Sequence, residues 1–394
     1  MADPNIINPP FRAAPGSPPR CAASVLTLIG LLLAVTAPPA RAVSPLEAKL
    51  QRQLNALVKA KDGPPGAIVT LRRGARTEVL TAGVADVRTR RAPRPRDHMR
   101  IASVAKAFSG AVALRLVARN RLRLGDSIGR LLPDLPAAWA AVTIRQLLNH
   151  TSGLPDYTKS AGFRAQFADH PRGFVSARRI LGWVAGDPLH FVPGEQYAYS
   201  NTDNIVIGLI AEKVSGKTYA SLLRSFVFTP LGLRQTSFPT ATALPRPFIH
   251  GYVVEGSAPP VDVSTSLSPS GAWASGAIVS TPRDLNTFIR GYLGGRLVPA
   301  SVQRQQLRFV PGGRSSPPGP GRNAAGLAIF RYRTHCGTVY GHTGNFPGYV
   351  QFAAASRDGR RSITTSLNIP APTGELLSRL RAAQTTGVCA LLRG

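Results

Sequence analysis

The spacing of apolar residues changes period three times along the chain, and the order of those changes is the strongest constraint on its fold. Ala67 to Arg72 and Thr77 to Ala82 are short strand-forming runs joined by Arg73-Gly74-Ala75, a hairpin signature. From Ser103 to about Asn120, Val104, Phe108, Ala111 and Val112 recur at helical spacing, which places Ser103 at a helix N-terminus. Thr143 and Gln146 form a T-x-x-Q capping box opening a helix expected to end near Gly153, and Ile205 to Val214 form another closed by Gly216. Strand texture returns at Val339 to His342, Tyr349 to Ala355 and Ser362 to Asn368, the last two joined around Asp358-Gly359. Leu376, Leu377, Leu380 and Ala383 then stripe a terminal helix. This order predicts an α/β fold in which an antiparallel β-sheet flanked by helices is split by an inserted all-α domain. The expected boundaries are 43–106 and 271–394 for the sheet domain and 107–270 for the mostly helical one, with the active site between them.

A chain of 394 residues that is 43% apolar and 17% charged can bury a sizeable core, and its 38 Gly and 35 Pro imply many turns. Fibrous and disordered classes are excluded. The balance of 48 Lys plus Arg against 19 acids gives a net charge of +29, and only seven of the bases are Lys. Such an excess fits nucleic-acid binding, attraction to an anionic membrane or wall polymer, or an Arg-rich composition bias. The bases form no run of five, and no aromatic residues interleave with them as on a nucleic-acid platform, so no nucleic-acid partner is expected.

Arg20 precedes the apolar stretch Val25 to Val35, and Ala40-Arg41-Ala42 offers a small-x-small cleavage site, the pattern of a secretory signal over residues 1–42. A stretch of about eleven apolar residues is too short to span a bilayer. Cleavage after Ala42 would discard Cys21, which lies ahead of that stretch. Cys336 and Cys389 would remain in an exported chain and are expected to form one disulfide, stabilising by about 4 kcal/mol in the chain-entropy model. Two buried thiols are the alternative.

Three short motifs carry chemistry. Ser103-Val104-Ala105-Lys106 is an S-x-x-K spacing, which on a helix sets the amine one turn along, beside the serine hydroxyl. A serine there can be an activated nucleophile, and the N–H groups of the helix start favour developing negative charge. Tyr199-Ser200-Asn201 sets a phenol two residues from an amide. A phenol beside an ammonium can exist as phenolate and take the serine proton, while the Asn amide can hold a substrate carbonyl. His342-Thr343-Gly344 lies at a strand end, where glycine lets backbone approach a ligand and the next N–H can point into a cleft.

With these three motifs in this order, residues 45–392 resemble the serine penicillin-recognising superfamily of D-alanyl-D-alanine carboxypeptidases and class C type β-lactamases. Leu147-Leu148-Asn149-His150-Thr151-Ser152-Gly153-Leu154, Trp273-Ala274-Ser275-Gly276-Ala277 and Cys336-Gly337-Thr338-Val339-Tyr340-Gly341 extend the likeness. They look most like the secreted carboxypeptidases of Streptomyces type. The resemblance implies a β-lactamase or transpeptidase-like fold, with Ser103 as the acylated nucleophile and Lys106 and Tyr199 as the proton-transfer pair. It implies Asn201 as a substrate-amide contact and the N–H groups of Ser103 and Asn345 as the oxyanion hole. Trp273 would line the substrate pocket, and Thr343, beside Gly344, would meet the substrate carboxylate together with Arg331 or Arg333. His342 in place of Lys favours a peptidase over a β-lactamase and belongs to the site without a general-base role. Asn345 stands where another hydroxyl residue is expected.

The implied reaction is acyl transfer without metal or cofactor. Ser103 attacks the carbonyl of the penultimate D-Ala, the terminal D-Ala leaves, and water or an acceptor amine resolves the ester. Expected partners are stem peptides ending in D-Ala-D-Ala, β-lactams acylating the same serine, and anionic wall polymers, for a monomer secreted to the cell wall. A class C-like β-lactamase, a serine esterase and a catalytically silent binder of penicillin or wall peptides are the alternatives. Gly125-Asp126-Ser127-Ile128-Gly129 matches G-x-S-x-G but follows a helix rather than the strand a nucleophile elbow needs, so Asp126 or Ser127 is expected to cap a short helix. His150 is expected to stabilise the turn after the Thr143 helix, and His98 and His335 show no metal spacing.

Overall fold

The fold begins earlier than the expected elements do. In the computed structural model, which describes Gly16 and residues 44–394, Ser44 and Glu47 form a reciprocal capping box and Pro45 starts helix α1 (Pro45–Lys59). The expected signal segment, with Arg20, Cys21 and the cleavage site after Ala42, lies outside the described residues. Leu50, Leu54 and Leu57 of α1 are buried at helical spacing. Strands β1 (Gly66–Arg73) and β2 (Arg76–Gly83) follow, with Gly74 at φ +58 in the turn between them, a left-handed geometry that suits glycine.

A short 3-10 turn at Ala102–Val104 leads into helix α2 (Ala105–Ala118), whose residues are buried on nearly every side, so it runs through the interior. The Thr143 capping box forms, but its helix spans only Ile144–Leu148. It stops short of Gly153 because His150 takes φ +59 and turns the chain. Helix α3 (Thr202–Ser215) ends at Gly216 in the left-handed region, and Thr281 caps helix α4 (Pro282–Leu293).

Five strands follow: β3 (Arg322–Gly326), β4 (Ile329–Thr334), β5 (Gly337–Phe346), β6 (Tyr349–Ala355) and β7 (Arg361–Leu367). Of these, β3 and β4 were not anticipated, and β5 runs beyond both ends of the expected Val339–His342 strand. The terminal helix is α5 (Gly374–Arg393), tied to the turn before β5 by the Cys336–Cys389 disulfide.

The seven strands form one antiparallel sheet in the order β2-β1-β7-β6-β5-β4-β3, so its first and last strands in chain order pair side by side as its second and third strands, with Ala67 opposite Leu367. Alternation along β1 decides the layers: Ala67, Val69 and Leu71 join the core beneath α1 and α5, whereas Ile68 joins the core that holds α2, α3 and α4. The structure is thus an antiparallel sheet covered by helices on both faces. Among the described residues no helix is long and apolar enough to cross a membrane.

Candidate active site

The nucleophile turn is held where β5 passes closest to it. Ala102 adopts φ +51, and the 3-10 turn then presents Ser103 just before α2. A side chain on Gly344 would lie 2.6 Å from Ile101 O and 3.0 Å from Ser103 N, so glycine alone lets β5 run against that turn.

Lys106 sits one turn further, fully buried. Its Nζ lies 2.9 Å from Ser103 Oγ, 2.7 Å from Asn201 Oδ1 and 2.8 Å from Ser275 O. Burial pulls its pKa down to about 7, against the opposing pull of Asp156 and Asp203. Two of its three partners are carbonyl oxygens that can only accept, and the third is a hydroxyl that can also donate. That set accommodates the ammonium, which donates to all three, and equally the neutral amine that a pKa of about 7 makes accessible, which gives its two N–H groups to Asn201 and Ser275 and takes the Ser103 proton on its lone pair.

Asn201 and Tyr199 lie on the segment before α3. Asn201 Nδ2 donates to both carboxylate oxygens of Asp156, 3.1 Å each, which turns its Oδ1 toward Lys106. The buried Tyr199 phenol is held well above its ordinary pKa by desolvation, opposed in part by the Ser103 side chain, although the two hydroxyls are outside good hydrogen-bonding geometry. Lys106 Nζ is 5.2 Å from the centre of the Tyr199 ring. The electrostatics therefore run against the phenolate expected from sequence: the tyrosine rests as a proton donor, and the lysine is the better proton acceptor.

Behind Tyr199 lies a second buried pair. His150 Nδ1 is 2.7 Å from Asp203 Oδ2, Ser152 Oγ donates to Asp203 Oδ1, and the His150 ring is 4.5 Å from that of Tyr199. Burial opposes charge on both members of the pair. Ala198 N donates to His150 O, so His150 braces the segment carrying Tyr199 as well as the turn after the Thr143 helix.

Not every candidate residue reaches the cavity of about 530 Å³ above Ser103. Its wall includes Tyr199, Asn201, Asp156, Lys159, Phe163, Phe167 and Asn345. His342 stays beneath it, fully buried. Its Nδ1 donates to Thr343 O at 2.5 Å and its ring packs edge-on against Phe330, while burial and Lys106 drive its pKa down to about 3. Thr343 Oγ1 donates to Pro317 O, and Asn345 Oδ1 accepts from Ala371 N. Trp273 turns away from the cavity and packs on Tyr219 and on Gly208 of α3, where a Cβ would meet its ring at 2.5 Å. On β4, Phe330 and Tyr332 face inward by strand alternation, and Arg331 lies over the Phe309 ring instead. Arg331 and Arg333 are therefore absent from the cavity wall, and among the described residues no guanidinium lines it. Ser127 occupies the N-cap of the short helix Ile128–Leu131, likewise outside the cavity.

Sequence reasoning missed Asp156, Lys159, Phe163, Phe167 and Ser275. Asp156 stands two residues past the Leu147–Leu154 stretch, Ser275 lies inside the Trp273–Ala277 stretch, and Phe163 and Phe167 recur one turn apart on the helix Ala161–Asp169. Each signal was present, but none distinguishes a cavity wall from an ordinary turn or core face.

Comparison with known proteins agrees with this fold. The family model described as Beta-lactamase matches residues 50–386. Penicillin-binding protein 4* of Bacillus subtilis (strain 168) is 26% identical over 318 residues, covering 77% of this chain and 67% of that protein. Protein flp of Staphylococcus aureus is 28% identical over 219 residues, and the match spans only 43% of flp. Among solved structures, a D-stereospecific amidohydrolase from Streptomyces sp. superposes with a TM-score of 0.75 at 32% identity, covering 86% of this chain and 98% of that one. The D-amino acid amidase from Ochrobactrum anthropi SV3, complexed with L-phenylalanine amide, gives 0.74 at 26% identity, with 88% and 98% covered. With the family model matched over most of its length, this chain belongs to the beta-lactamase family, within the superfamily of serine hydrolases that includes penicillin-binding proteins and D-amino acid amidases.

Proposed function

We propose that the protein is an acyl-serine amidohydrolase that cleaves the amide bond following a D-configured residue in a small substrate. The observation carrying this is Lys106, buried with a pKa near 7 and 2.9 Å from Ser103 Oγ in the floor of a cavity. Ser103 Oγ attacks the carbonyl as Lys106 takes its proton. The N–H groups of Ser103 and Asn345 meet the oxyanion. Tyr199 Oη delivers a proton to the leaving nitrogen, so the C–N bond breaks with release of an amine. Water then resolves the ester by the reverse proton path, leaving a carboxylic acid and free Ser103.

Within that class the cavity favours an amino acid amide. Asp156 offers a carboxylate to a substrate ammonium, Phe163 and Phe167 offer an apolar wall, and among the described residues no guanidinium is placed to receive a terminal carboxylate. The likeness to a D-stereospecific amidohydrolase and a D-amino acid amidase, each covered over 98% of its length, supports the same substrate class. For the D-Ala-D-Ala carboxypeptidase suggested by the sequence, with Arg331 and Arg333 off the cavity wall, the terminal carboxylate would have to meet Lys159, an exposed side chain there without an ion pair among the described residues. Acylation of Ser103 by β-lactams belongs to either substrate, as does export directed by residues 1–42.

The test compares ammonia release from D- and L-phenylalanine amide with D-Ala release from an N-acetylated D-Ala-D-Ala, using the wild type and Ser103→Ala. The expected result is turnover of the D-amide, at least about tenfold over the L-amide, an energy difference near 1.4 kcal/mol, and none in the variant. Faster release of D-Ala would move the assignment to a carboxypeptidase. Rapid penicillin hydrolysis without amide turnover would move it to a β-lactamase.

A further inference from the structure

A second groove, of about 1210 Å³, runs between the β1–β2 hairpin, the loop at Arg94 to Asp97, the turn at Gly232 to Gln235 and the start of α4. It shares no lining residue with the cavity at Ser103. Five arginines line it: Arg72, Arg94, Arg96, Arg234 and Arg283. All but Arg72 are exposed, and among the described residues none of the five is in an ion pair. Among the described residues Arg72 reaches only Thr287 Oγ1, at 3.5 Å, and its buried Nε has no hydrogen-bond partner there.

The two buried acids in the lining offset this charge only in part, because Asp97 is already paired with Arg91 and Asp284 alone stands against five guanidiniums. Asp97 accepts from Arg91 and from the Arg94 N–H, and Asp284 Oδ2 accepts from Gln235 N and Thr236 Oγ1. Like charges held around a concave wall concentrate anions there. Guanidiniums approaching from separate walls suit a tetrahedral phosphate, whose oxygens point in several directions, better than a planar carboxylate that one fork satisfies. A volume of about 1210 Å³ has room for several such groups.

We propose that this groove binds a linear phosphate-bearing polymer. The site holds the chain electrostatically, apart from the Ser103 cavity, and localises the attraction that the whole-molecule charge of +29 only suggested.

The test measures binding of the full chain to inorganic polyphosphate as a function of salt. It compares Arg94→Glu/Arg96→Glu/Arg234→Glu/Arg283→Glu with Arg121→Glu/Arg179→Glu/Arg304→Glu/Arg308→Glu, an equal charge change at exposed arginines outside the groove. The groove variant is expected to lose at least about tenfold in affinity, and about 3 in the slope of log K against log salt, for four lost phosphate contacts. The control is expected to lose less than about threefold. A milder set with Gln at the same four groove positions should fall in the same direction with an unchanged thermal midpoint, which separates lost binding from lost folding. Equal losses in groove and control variants, or no loss in either groove set, would overturn the proposal. So would equally tight wild-type binding to polyglutamate of matched charge.

Discussion

The cavity at Ser103 and the groove at Arg283 are both lined by charged residues, but they hold charge under opposite conditions. Beside Ser103 the ionisable groups other than Lys159 at the rim are withdrawn from water and engaged: Lys106 has three partners, Asp156 two bonds from Asn201, and Asp203 bonds to His150 and Ser152. In the groove, four of the five arginines are exposed and none is in an ion pair among the described residues. Withdrawal from water changes the protonation state itself, which is what turns a lysine into a base at neutral pH. Exposure leaves the charge as it is and lets it act at a distance, subject to screening. The first region is therefore built to react and the second to attract.

The sharpest way to break the contrast is Ser103→Ala, which should lower amide turnover by roughly 10⁴- to 10⁶-fold while leaving polyphosphate binding intact. Lys106→Met should cost roughly 10²- to 10⁴-fold in turnover, and the acid limb of the wild-type rate profile, with a midpoint at about 7, should vanish with it. Activity rises with pH through that midpoint because only the deprotonated amine accepts the serine proton.

Salt should then separate the two regions without any mutation. Five phosphate contacts imply roughly a hundredfold loss of polyphosphate affinity between about 50 and 200 mM salt, with amide turnover changed less than about twofold. A parallel fall in turnover would mean that the two regions are not independent. Within the cavity, Asp156→Asn should raise KM for an amino acid amide about tenfold, near 1.4 kcal/mol, and raise KM far less for its N-acetylated form, as checked by initial-rate kinetics.

The smallest expected effect concerns stability. His342 refuses a proton in the fold down to about pH 3, whereas the unfolded chain takes one near pH 6.5. Its contribution is therefore lost as pH falls below about 6.5, by roughly 1.4 kcal/mol at pH 5.5. His342→Asn should show a correspondingly smaller drop in urea midpoint between about pH 7 and pH 5.5.

The same contrast marks what the sequence disclosed. Ser103, Lys106, Tyr199 and Asn201 were legible because local spacing sets their relation: one helical turn for the first pair, two residues before a helix for the second. The sheet's antiparallel character and the helical middle followed from the changes of period. Trp273, Arg331 and Asp156 were not legible in the same way, since each depends on which side of a strand or turn its side chain takes. One residue of register sends Arg331 to Phe309 and Phe330 to His342. The arginine groove gathers residues from four separate segments, and no local pattern in a chain this rich in arginine announces such a meeting.

The central claim is that buried, neutral Lys106 activates Ser103, and the most direct measurement is the rate of covalent acylation by penicillin, followed by intact mass from about pH 5 to pH 9. One adduct, absent in Ser103→Ala and forming faster as pH rises through about 7, is the result predicted by the lysine's environment. An adduct that persists in Ser103→Ala, or a rate that climbs only toward the ordinary tyrosine range near pH 10, would contradict it.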